Sequence, residues 1–81
     1  MANDSLTIYG QLGKRIAYLR KEKKLSQLEL SFASHISKNY LSDLENGRRN
    51  PSLAILNRLA KALGIPLEEL FRGVVELDQL L

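Results

Sequence analysis

Cysteine is absent from the 81-residue chain. No disulfide framework, thiolate metal site or cysteine nucleophile is therefore available. Histidine occurs once, at His35, so a histidine-rich metal cluster is excluded as well. Tryptophan is missing, and tyrosine and phenylalanine together number five. Proline appears only at Pro51 and Pro66. No apolar run approaches the ~20 residues that cross a bilayer as a helix. The opening MANDSLTIYG lacks the basic and apolar regions of a secretory signal. These absences predict a cytoplasmic protein with no membrane partner. A chain this short buries roughly 60–65% of its unfolded surface in one small core. It has no room for a ligand-sensing domain beside a binding domain, so no small-molecule effector is expected. Glu68 and Glu69 are adjacent in sequence and do not converge as a catalytic pair. A phosphate-cradling glycine loop and metal-ligand spacing are also lacking. An enzyme is rejected on these grounds, and no cofactor is expected.

Charge is present and unevenly placed. The chain carries 12 basic and 9 acidic residues, a net of +3. Residues 1–64 hold eleven of the basic residues against five acids, or +6. Residues 65–81 hold Arg72 against Glu68, Glu69, Glu76 and Asp78, or −3. A basic body can face a polyanion while the acidic end points elsewhere.

Leu, Ala, Lys, Arg and Glu dominate, and strand-like alternation is missing. The pattern predicts an all-α fold, a compact five-helix bundle. Leu12, Ile16 and Leu19 form one stripe on a first helix over 8–23, with Thr7 as its N-cap. Gly13 on this helix allows close packing. Ser26 with Glu29 forms a capping box for a second helix ending near Ser34. Leu30 and Ala33 are its expected core positions. Leu28 and Phe32 stand one turn apart outside that stripe. Either the bundle wraps one face further, the favoured reading, or they form an exposed patch. Ser37 caps a third helix over 38–46, with Leu41 and Leu44 inward and Gly47 as its stop. Ser52 caps a fourth over 53–63, whose apolar face is Leu53, Leu56, Leu59, Ala60 and Leu63. Pro66 opens a fifth, carrying Leu67, Leu70 and Phe71. The expected organisation is a flexible N-terminus over 1–7, a domain over 8–73 and a tail over 74–81.

Two short capped helices joined by a tight turn at 34–37 have the layout of a helix-turn-helix. Spacing alone fits any helical hairpin equally well. The residues narrow the choice. Arg20, Ser26-Gln27, Leu30-Ser31, Ser37, Leu41-Ser42, Leu44-Glu45-Asn46-Gly47, Arg48-Arg49-Asn50-Pro51-Ser52 and Leu59-Ala60-Lys61-Ala62-Leu63-Gly64 occur in order. This set resembles the helix-turn-helix family of Cro and the lambdoid phage repressors, which includes restriction-modification controller proteins. The resemblance runs from about residue 12 to residue 71. It implies a lambda-repressor-like DNA-binding domain and a sequence-specific transcriptional regulator. Two departures stand out: His35 replaces the turn glycine, and Lys24 replaces a glycine before the Ser26 cap. Both predict a left-handed backbone at a residue with a side chain, at a small local cost.

A recognition helix reads base edges from its N-terminal residues. The candidates are Ser37, Lys38, Asn39, Tyr40, Ser42 and Asp43. Lys38 can donate to guanine, Asn39 can pair with adenine, and Asp43 can accept from cytosine. Tyr40 can meet a thymine methyl or a phosphate. Arg48, Arg49 and Asn50 follow the helix as candidate phosphate contacts. By the resemblance Gln27 and Asn46 also touch the backbone, and Arg20 with Glu45 forms a partly buried structural salt bridge. Such regulators bind two-fold half-sites ~34 Å apart, so a homodimer on an inverted-repeat double-stranded operator is expected. Leu67, Leu70, Phe71, Val74 and Leu77 are the candidate dimer surface. A protein-interaction module of the same fold and the antitoxin of a toxin–antitoxin pair are the alternatives.

Overall fold

Serine and threonine hydroxyls set the helix starts. The computed structural model describes residues 7–74, and α1 spans Ile8–Glu22, α2 Gln27–Ser34, α3 Lys38–Glu45 and α4 Leu53–Leu63. Thr7 accepts from the Gly10 amide, Ser37 from Tyr40 and Ser52 from Ile55. Ser26 and Glu29 complete the reciprocal capping box, at 3.0 and 2.8 Å. Each cap satisfies a backbone donor that the first turn leaves without a helical partner. Gly64, at φ 70°, ends α4 in the left-handed conformation. His35 (φ 61°) and Lys24 (φ 60°) adopt the same region without being glycine.

The expected all-α architecture is found, with one correction. The fifth helix is a short 3-10 helix over Leu67–Phe71. Pro66 stays extended at ψ 149° and its side chain caps nothing. Gly73 (φ 77°) turns the backbone again just beyond. The space between supports an i to i+3 bond, from the Glu69 amide to the Pro66 carbonyl at 3.0 Å.

Leu12, Ile16, Leu30, Leu41, Leu44, Leu56, Leu59, Ala60, Leu63 and Leu70 form the core. Two inward assignments move. Leu53 lies in the first turn of α4 and is 67% exposed. Ala33 is exposed, while Ser31 and Ser34 are buried. Their hydroxyls donate back to the Leu28 and Leu30 carbonyls, at 2.8 and 2.6 Å. Each serine thus satisfies its own polarity and takes little room, so the buried stripe of α2 is Leu30, Ser31 and Ser34. Leu28 (62%) and Phe32 (84%) project from the opposite face. Among the described residues nothing wraps over them, contrary to the favoured expectation.

Gly13 brings α1 onto the end of α3. A Cβ there would collide with the Leu44 carbonyl and lie 2.7 Å from that of Glu45. No side chain larger than hydrogen fits this crossing. The expected N-terminal segment is described only at Thr7, and the expected tail only at Val74.

Candidate nucleic-acid interface

Burial of Leu41 and Leu44 fixes which way α3 faces. Ser37, Lys38 and Asn39 then stand exposed at its N-terminal end, while Tyr40, Ser42 and Asp43 are half-buried. The loop after α3 carries exposed Arg48, Arg49 and Asn50. Its path begins with the Arg48 amide on the Asp43 carbonyl, at 2.9 Å. The candidate base-reading and loop residues thus come together along one helix and its exit. Three cations, Lys38, Arg48 and Arg49, share this stretch with Asp43 and Glu45.

Glu45 accepts three hydrogen bonds from two side chains. Arg20 Nε and Nη2 donate to its two carboxylate oxygens at 2.7 and 3.0 Å. Gln27 Nε2 donates to Oε1 at 2.9 Å. Arg20 Nη1 also reaches the Leu25 carbonyl at 2.9 Å, tying down the loop between α1 and α2. The side chains of Arg20 and Glu45 are only 11% and 5% exposed. Such a paired guanidinium–carboxylate contact is both strong and directional. It locks the far end of α3 against α1 and α2. Gln27, at the start of α2, is positioned by the same carboxylate. Asn46 ends α3, and its side-chain amide donates to the Ser42 carbonyl at 2.8 Å.

Asp43 sits differently from the sequence expectation of an open acceptor. Arg48 Nη1 lies 3.8 Å from Oδ1, and Arg49 Nη2 lies 3.2 Å from Oδ2. The Arg49 guanidinium also covers the Tyr40 ring, 5.0 Å from its centroid. That is within cation–π range.

Two fastenings escaped the sequence reading. Arg15 Nε donates to the Glu69 carbonyl at 2.9 Å, and Arg15 Nη2 to Glu69 Oε1 at 3.2 Å. These bonds hold the 3-10 helix against α1. Arg58 donates to the His35 carbonyl at 3.4 Å, joining α4 to the turn. Both join residues distant in the chain, so no local pattern announces them. Glu69 also receives Arg72, whose hydrogen bond holds its carboxyl below the ordinary carboxylate range.

One of the candidate dimer residues does not reach the surface. Leu70 is fully buried in the core, so its side chain cannot meet a partner. Leu67 and Val74 are half-buried, and Phe71 is 40% exposed. Leu77 lies outside the described residues. Phe71 and Val74 instead line an open apolar groove of about 180 Å³ with Ile8, Tyr9, Leu12 and Leu56 among its walls. Among the described residues, no cluster of metal-ligating side chains occurs, and no helix is long and apolar enough to cross a membrane.

Known proteins share both sequence and shape with this chain. The helix-turn-helix family profile matches residues 16–70. An immunity repressor protein of Bacillus phage phi105 is 48% identical over 54 residues, which are 67% of this chain and 38% of that repressor. The chain therefore spans well under half of that relative. An HTH-type transcriptional regulator of Sinorhizobium fredii, y4dJ, is 49% identical over 73% of this chain and 77% of its own length. The solved structure of the restriction-modification controller protein C.AhdI from Aeromonas hydrophila superposes with a TM-score of 0.77 at 41% identity, covering 78% of this chain and 96% of that one.

Proposed function

The chain belongs to the helix-turn-helix family, and from that premise we propose that it is a sequence-specific DNA-binding transcriptional regulator. The observation that carries this reading is the pose of α3. Leu41 and Leu44 anchor the helix, the Arg20–Glu45 pair locks its far end, and Ser37, Lys38 and Asn39 project from its free end. This is the placement from which a recognition helix reads the major groove.

Lys38 donates to guanine O6 or N7, and Asn39 offers the paired donor and acceptor that adenine requires. Ser37, Tyr40 and Ser42 complete the reading face. Gln27, Asn46, Arg48, Arg49 and Asn50 contact phosphates and set the register. Two copies pair through the groove beside Phe71 and Val74, and the dimer reads an inverted repeat. Regulation is by occupancy: the bound dimer blocks or recruits polymerase at the operator. The resemblance to an immunity repressor and to a restriction-modification controller supports this class of regulator.

Selection of bound duplexes from a random DNA library tests the whole reading. Enrichment of an inverted repeat with half-sites ~34 Å apart is the expected result. Failure to enrich any sequence at low salt would overturn it.

A further inference from the structure

The loop after α3 carries two arginines, and both guanidinium groups pair with Asp43 while staying exposed. Asp43 takes Arg49 through Nη2 at 3.2 Å and Nε at 3.4 Å, and takes Arg48 at 3.8 Å. Tyr40, one turn earlier on the same face of α3, lies beneath the Arg49 guanidinium. Arg49 is thus held between a carboxylate and an aromatic face. The loop backbone is fastened to the same residue, since the Arg48 amide donates to the Asp43 carbonyl. Asp43 therefore meets both the loop backbone, through its carbonyl, and the loop's two cations, through its carboxylate.

A carboxylate presents to guanidinium the same pair of anionic oxygens that a DNA phosphate presents. We propose that Asp43 is a specificity-positioning residue, an internal phosphate mimic that withholds Arg48 and Arg49 from DNA of the wrong sequence. The inference rests on the reading that α3 enters the groove. It adds a residue that acts through the arginines and opposes affinity.

Exposure makes the exchange feasible. The side chains of Arg48, Arg49 and Asp43 are 67%, 49% and 35% exposed, so their pairing is weak and screened by salt. On random DNA only phosphates are on offer, and they compete with a carboxylate already in place. Fewer counterions are then released, and non-specific binding is reduced. On the cognate site the first turn of α3 engages its bases and brings phosphates into register. The arginines then move from carboxylate to phosphate, and the freed Asp43 can accept from a cytosine amino group.

The test measures the affinity of the full chain for a random-sequence duplex and for a selected site across a salt series. Asp43→Asn should tighten random-sequence binding about three- to tenfold, the effect of releasing two exposed ion pairs. Its log affinity should fall more steeply with log salt, by ~0.9 for each phosphate newly engaged. Selected-site affinity should change less, so discrimination falls. Asp43→Glu, which keeps the charge, should retain most of the discrimination. In an Arg48→Gln/Arg49→Gln background, Asp43→Asn should no longer alter the salt slope. An equal Asp43→Asn effect in both backgrounds would mean general repulsion of DNA and would overturn the proposal. So would unchanged random-sequence binding in the single variant. Failure of the unaltered chain to bind any duplex at low salt would overturn the DNA-binding reading itself, a result distinct from either.

Discussion

Two faces of the last turn of α3 are bounded by different uses of one chemistry. At the seam with α1, Arg20 and Glu45 meet with side chains 11% and 5% exposed. At the outer face, Arg49 and Asp43 meet with side chains 49% and 35% exposed. The first pair has given up its water, and every oxygen and nitrogen it uses is bonded within the protein. The second keeps water as an alternative partner. Burial therefore decides the role. The seam pair is a structural lock, because a charge left alone there has nowhere to go. The outer pair is exchangeable, because water or phosphate can replace either member at small cost. A recognition helix needs both: a fixed back and an adjustable front.

Removing one partner at the seam has the largest expected effect. Glu45→Ala leaves Arg20 and Gln27 without their shared acceptor, and should cost about 3–5 kcal/mol by denaturant unfolding. A cost below 1 kcal/mol would erase the distinction between the two regions. Gly13→Ala strikes the same seam by steric means. The added methyl meets the carbonyls of Leu44 and Glu45, and a loss of about 1–3 kcal/mol is expected on thermal melting. Unaltered melting would show that the helix crossing is looser than its geometry implies.

A gain is expected in the turn between α2 and α3. His35 pays the steric cost of a left-handed backbone, ~1–2 kcal/mol, which glycine avoids at the expense of ~0.5–1 kcal/mol in chain entropy. His35→Gly should therefore stabilise the fold by about 0.5–1 kcal/mol. A destabilised variant would point to a role for the imidazole. At the outer face, Asp43→Asn should shift stability by no more than about 0.5 kcal/mol, despite ending two ion pairs. A large loss would make this region a second lock.

Glu69 offers the smallest effect. Its carboxyl is depressed in the folded chain, first by the Arg72 hydrogen bond and then by the nearby charges of Arg72 and Arg15. Its contribution is therefore present above the ordinary carboxylate range and is lost as pH falls through the depressed value. Glu69→Gln should flatten acid unfolding slightly in that window, and identical acid titrations would deny the pairing any weight.

The seam was more legible in the sequence than the outer face. Serine caps and the capping box follow from local backbone chemistry, which short-range sequence encodes, whereas the left-handed positions at Lys24 and His35 came from the glycines that the family resemblance places there. Gly13 stood out because glycine weakens a helix unless space demands it. The Arg20–Glu45 contact came from the family resemblance, since 25 residues separate the two. Other features depend on what lies across the bundle. Periodicity placed Ala33 inward, yet Ser31 and Ser34 occupy the buried side by bonding their own helix. Leu28, Phe32 and Leu53 are apolar at helical spacing, but no element among the described residues covers them, and spacing does not reveal where neighbours end. The clasp of Asp43 on two arginines depends on the loop folding back past Gly47, which the basic run alone does not specify.

The proposed function stands on α3 as the reader of DNA. The most direct measurement compares the unaltered chain with a Lys38→Ala/Asn39→Ala variant, on the selected duplex and on random-sequence duplex at one salt concentration. Both residues are exposed at the free end of the helix, so folding should be preserved. Preference for the selected duplex should collapse by at least about tenfold, since each good base contact is worth ~1–3 kcal/mol, while random-sequence binding weakens far less. Equal preference in the variant and the unaltered chain would contradict that function.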